Sequence, residues 1–167
     1  DLTVSTITAH ANGSNGIFLT NSQDVTVTEV DAVLVKRVDD KAVVADRSDA
    51  AKQSDLVTQT DGAAILLITA DGNLTLSDDA DGVAVSATTG SVDLLSVSGD
   101  VILSAGINTS TGSVRVEAQQ RDIIMNSQSL VTTGEQSAGD ITYVAAADIK
   151  LGDGSLTAGV GAIYLTS

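Results

Sequence analysis

The chain has 167 residues, enough for one domain with a sizeable core. Hydrophobic residues make up 43 % and aromatics 2 %, so the apolar content is aliphatic, as strands favour and disordered chains lack. A net charge of −14 opposes nucleic-acid phosphates and anionic bilayers, and the absence of Cys removes disulfides, thiolate zinc sites and cysteine nucleophiles.

No run approaches the ~20 apolar residues of a membrane-spanning helix, so no membrane insertion is expected. The start, Asp1-Leu2-Thr3-Val4, has neither the basic nor the apolar region of a signal peptide. Both termini fall within strand-like sequence, which predicts a piece of something longer.

The elements repeat in cycles of three strands. Taken in chain order, a third-type strand is expected at Ile7, a turn over His10–Gly16 and a first-type strand from Ile17. A second-type strand follows at Val25, then a third-type at Val33 and a first-type at Val43. No second strand is legible after Val43. In its place lies the charged run Asp46-Arg47-Ser48-Asp49-Ala50-Ala51-Lys52-Gln53-Ser54-Asp55, read as a loop or short helix leaving the repeat at 46–55. Because loops carry function more often than scaffolds, it is the expected place for a partner contact.

The cycle resumes with a third strand at Leu56, a first at Ile65, a second at Leu74 and a third at Val83. From there the phrases become clear. Gly90-Ser91-Val92-Asp93-Leu94, Gly112-Ser113-Val114-Arg115-Val116, Gly139-Asp140-Ile141-Thr142-Tyr143 and Gly161-Ala162-Ile163-Tyr164-Leu165 mark first strands. Gly99-Asp100-Val101-Ile102-Leu103, Arg121-Asp122-Ile123-Ile124-Met125 and Ala147-Asp148-Ile149-Lys150-Leu151 mark second strands. Weaker third strands start at Ile107, Leu130 and Leu156. First-strand steps are then 26, 22, 27, 22, 27 and 22 residues.

Alternate residues of a strand face opposite sides, so Val114 and Val116 point inward and Arg115 and Glu117 outward. One such turn cannot bury its apolar face, but stacked turns can. Ile65, Val92, Val114, Ile141 and Ile163 form one predicted aliphatic column; Leu74, Val101, Ile123 and Ile149 form another. The expected fold is all-β: a single-stranded parallel β-helix of about three strands per coil and six coils, spanning 1–167. At ~4.8 Å per coil, six steps give a rod on the order of 29 Å long. Glycine ahead of each first strand is expected to supply positive φ at a corner. An immunoglobulin- or cadherin-like β-sandwich is the alternative, since strands every 8–12 residues also suit it.

The repeated phrases resemble those of filamentous-haemagglutinin-like exoproteins, giant repetitive surface adhesins and autotransporter passengers of bacteria. The likeness runs from about Gly62 to Ser167. It implies a right-handed parallel β-helix, secretion to the bacterial outer surface, and a role in adhesion or spacing.

Chemistry is sparse. His10 is the only histidine, and Phe18, Tyr143 and Tyr164 are the only aromatics available for a sugar groove. No enzyme is therefore expected, although polysaccharide cleavage on a β-helix stands as an alternative. Asp78, Asp79 and Asp81 form an acidic turn that is a weak calcium candidate. Asp24, Asn73, Asp100, Asp122 and Asp148 each precede a second strand, so Asp100, Asp122 and Asp148 should stack on consecutive coils. Their repulsion, about 0.8 kcal/mol per pair at ~5 Å in water, must be offset. Hydrogen bonds from backbone N–H groups of each residue's own turn would do so, as would a bridging calcium ion.

Three functions remain: a spacer in a large secreted or surface adhesin, a module binding host glycan or protein, and a polysaccharide-cleaving enzyme. The rest of the parent chain is the implied partner of the first. Open coil ends would also permit end-to-end self-association.

Overall fold

The computed structural model describes residues 1–32, 34–38, 40–48, 52–77, 81–126 and 129–167. Three six-stranded sheets run side by side through the chain. The first contains β3 (Ile17–Asn21), β8 (Ile65–Thr69), β11 (Val92–Ser96), β14 (Val114–Ala118), β17 (Ile141–Ala145) and β20 (Ile163–Thr166). The second contains β1 (Thr6–Ile7), β4 (Val25–Val27), β9 (Leu74–Leu76), β12 (Val101–Leu103), β15 (Ile123–Met125) and β18 (Ile149–Lys150). The third contains β2 (Ala9–Ala11), β7 (Leu56–Thr58), β10 (Val83–Ala87), β13 (Gly106–Thr109), β16 (Leu130–Thr132) and β19 (Ser155–Thr157). Each strand pairs in parallel with its counterpart one coil away. This is a parallel β-helix, and the parallel pairing overturns the sandwich alternative, whose sheets are antiparallel.

The register matches the aliphatic columns. Ile17, Ile65, Val92, Val114, Ile141 and Ile163 align across the first sheet. Leu74, Val101, Ile123 and Ile149 align across the second. Inward positions such as Leu67, Leu94, Val116 and Leu103 are fully buried. Burial of each such side chain is worth about 1.5–3 kcal/mol, so the columns carry the fold. Polar groups inside are tied at the corners: the Thr58, Thr109 and Thr133 hydroxyls donate to the carbonyls of Ala63, Gly90 and Gly139.

Five expectations need correction. Ile7 lies in the second sheet, paired with Val27, and the third-sheet strand of that coil is Ala9–Ala11. His10 therefore sits on a strand rather than in a turn; its ring is exposed, with Nε2 2.8 Å from the Ser54 carbonyl. Val43 starts no first strand, because Ile17 pairs directly with Ile65. The chain instead leaves the helix after β4 and returns at β7. Within that excursion β5 (Leu34–Val38) and β6 (Val44–Ser48) form an antiparallel hairpin, so the excursion is a hairpin and starts well before residue 46. The third strand expected at Val33 begins on a residue outside those described.

Finally, Gly90, Gly112, Gly139 and Gly161 are not among the positive-φ glycines. A Cβ on Gly112 would lie 2.1 Å from the Gly90 carbonyl oxygen, and one on Gly139 would lie 2.2 Å from that of Gly112. These glycines are required by the close approach of successive coils.

Candidate functional site

The side-chain column at the start of the second sheet forms a continuous ladder. Asp24 Oδ1 accepts the Asn73 N–H at 2.6 Å, and Asn73 Oδ1 accepts the Asp100 N–H at 2.8 Å. Asp100 Oδ1 accepts the Asp122 N–H and Asp122 Oδ1 accepts the Asp148 N–H, both at 3.0 Å. The donors thus belong to the next coil, not to each residue's own turn as the sequence suggested. Stacking places the Asp24, Asp100 and Asp122 carboxyls over the following coil's amide, so the column that brings like charges together also supplies the donors that offset them. Lys150 adds a cation against Asp122 and, at 3.6 Å, against Asp148. The Lys150 hydrogen bond, helped by the Asp148 N–H, holds the Asp122 carboxyl below its usual range. Lys150 is raised in return, chiefly by Asp122.

A parallel ladder precedes the first sheet. Ser91 Oγ accepts the Ser113 N–H, Ser113 Oγ accepts the Asp140 N–H, and Asp140 Oδ1 accepts the Ala162 N–H. The phrase Gly-Ser or Gly-Asp thus encodes two contacts: glycine admits the neighbouring coil, and the next residue binds its amide.

Of the acidic-turn candidates, Asp78 and Asp79 lie outside the described residues. Asp81 Oδ1 accepts the Val83 N–H at 3.0 Å, an ordinary turn contact. Among the described residues, no group of three or more His, Cys, Asp or Glu side chains is placed to hold a metal ion.

The excursion is anchored at its base. Val30 and Gln53 exchange backbone hydrogen bonds of 2.7 and 3.1 Å, and Lys52 bridges Glu29 at 2.5 Å and Asp31 at 3.3 Å. Hydrogen bonding to those two carboxylates raises the Lys52 pKa. Above this stem, β5 and β6 pair only with each other. Val38, Val43 and Val44 stand 56–59 % exposed at the hairpin end, near exposed Lys36, Arg37 and Lys41. Five of the eight Lys and Arg residues fall between 36 and 52, on a chain otherwise dominated by carboxylates. The charged run pointed to this segment, but the valines did not, because they read as helix-core strands.

The outward face of the first sheet carries a second cluster. Arg115 pairs with Glu117 and lies 3.8 Å from Asp93 on the neighbouring coil. Partial burial, opposed by Arg115, raises the Asp93 carboxyl. Tyr143 points inward as expected and is fully buried, and burial raises its pKa. Its hydroxyl has no hydrogen-bond partner.

Comparison with family models, curated proteins and solved structures finds no match.

Proposed function

We propose that this chain is a non-catalytic spacer, a rigid segment of a large secreted or cell-surface bacterial adhesin. The observation that carries the reading is the coil-on-coil parallel stacking of the three sheets, whose interior is filled by stacked aliphatic side chains. Such a structure converts residues into length at a fixed rate, ~4.8 Å per coil. Its acidic surface keeps it soluble in a cation-rich medium.

The test is modularity. Removing residues 92–140 excises two coils and joins Ser91 to Ile141 in register. The variant should remain folded and be shorter by about 10 Å in solution scattering. Loss of the fold would defeat the spacer reading.

A second reading has its own observation: the anchored hairpin, with exposed valines and clustered cations, suits binding of a host glycan or protein. Replacing residues 31–52 by a short Gly-Ser link should leave glycan-array and pull-down signals unchanged for a spacer. A signal that disappears with the hairpin would instead establish a binding module.

A further inference from the structure

We infer that the outward face of the first sheet is a self-complementary surface on which two copies of this chain pair side by side, with their long axes antiparallel. The row at the second position of each strand reads, coil by coil, Phe18, Leu66, Asp93, Arg115, Thr142 and Tyr164, aligned by the sheet register. The row at the fourth position includes Ile68, Leu95 and Val144. Half of the twelve outward positions are therefore large and apolar, in a chain of net charge −14. Phe18 and Tyr164, at opposite ends of the row, are 63 % and 53 % exposed.

The order of the row selects the occupant. A twofold axis running along the strand direction, midway between the third and fourth coils, reverses coil order and keeps each row opposite itself. Phe18 then meets the partner's Tyr164, Leu66 meets the partner's Thr142, and Asp93 meets the partner's Arg115. Both copies form the same contacts, as an isologous interface requires. In the fourth-position row the same axis sets Ile68 against the partner's Val144 and Leu95 against the partner's Glu117, a carboxylate that Arg115 of its own chain already pairs. Within one chain Arg115 leans to Glu117 and stands 3.8 Å from Asp93, so Asp93 has room for the second cation.

Position and size agree. The hairpin leaves between the second and third sheets, at the corner away from this face. Six strands of about five residues cover roughly 29 by 16 Å, so two copies would bury on the order of 1,000 Å2. That is the lower end of specific interfaces and predicts a weak, concentration-dependent dimer.

Sedimentation velocity of the whole chain from 5 to 500 μM, in about 0.15 M salt, should show monomer converting to dimer. Asp93→Arg alone and Arg115→Asp alone should each raise the dissociation constant at least tenfold. The double variant should return it to within threefold of the original value. Phe18→Ser, at an exposed and peripheral site, should weaken pairing at least threefold, and it provides a reading if a charge variant fails to fold. A monomer at every concentration would overturn the inference. So would a dimer indifferent to Phe18→Ser and to the charge swap but abolished by Leu165→Glu at the open edge of β20, because that contact would be end to end.

Discussion

The ladder before the second sheet makes a prediction that separates hydrogen bonding from charge. In Asp100→Ala, the Asp122 N–H loses its acceptor, which lies 3.0 Å away, while the Asp100 N–H keeps its bond to Asn73. A typical net hydrogen bond is worth about 1 kcal/mol, and more with a charged acceptor, but the site is only partly buried and water can replace part of the loss. The substitution also removes a like-charge neighbour worth about 0.8 kcal/mol in water. Asp100→Asn keeps the acceptor and removes the repulsion, the arrangement Asn73 already provides one coil earlier. The two variants should therefore differ by about 1 kcal/mol, with Asn the more stable. For a chain of this size that is roughly 2–4 °C in Tm. Urea unfolding followed by circular dichroism, in about 20 mM and 1 M salt, reads both terms. If Asn costs as much as Ala at both salt concentrations, the side-chain acceptor contributes nothing and the hydrogen-bond ladder does not stabilise the coil.

Other outcomes follow from the same contacts. Gly112→Ala, whose Cβ would meet the Gly90 carbonyl at 2.1 Å, should cost about 1–3 kcal/mol, whereas Gly13→Ala has nothing within 4 Å and should change stability by less than about 0.5 kcal/mol. Tyr143→Phe removes a buried hydroxyl that has no partner and should be neutral or stabilising; Tyr143→Ala should cost about 3–5 kcal/mol in urea titrations. Because the folded Asp122 carboxyl titrates below its ordinary value of 3.8, its contribution is present above that pH and lost as pH falls through the lowered folded value. Lys150→Met should therefore flatten the acid limb of a stability–pH curve, and an unchanged limb would exclude the pair. Calcium should raise Tm no more than sodium chloride of matched ionic strength, since backbone amides already engage the Asp100 and Asp122 Oδ1 atoms.

The columns were legible because strand alternation and coil spacing both survive from Ile65 onward: in-facing Val92, Val114 and Ile141 recur at one phase and align in space. The excursion was misread for a physical reason. Hairpin strands share the twofold alternation of helix strands, so Val43 and Val44 carried no mark of their antiparallel partner. The error was hidden by length, since the expected steps of 26 and 22 span the same residues as the single Ile17-to-Ile65 jump. The Asp column was visible by register, but its donors were not, because the chain alone does not say which coil's amide faces a carboxyl. The glycines were flagged for conformational freedom when crowding was the constraint; sequence shows a small residue without showing what presses against it.

The ladders also give the molecule an arrow. In every rung the acceptor side chain belongs to the earlier coil and the amide it holds to the later one. A finished turn thus displays the hooks on which its successor hangs, and the successor offers none in return through these groups. A polypeptide delivered with its N-terminus leading could be wound up as it arrives, each turn moulding the one behind it.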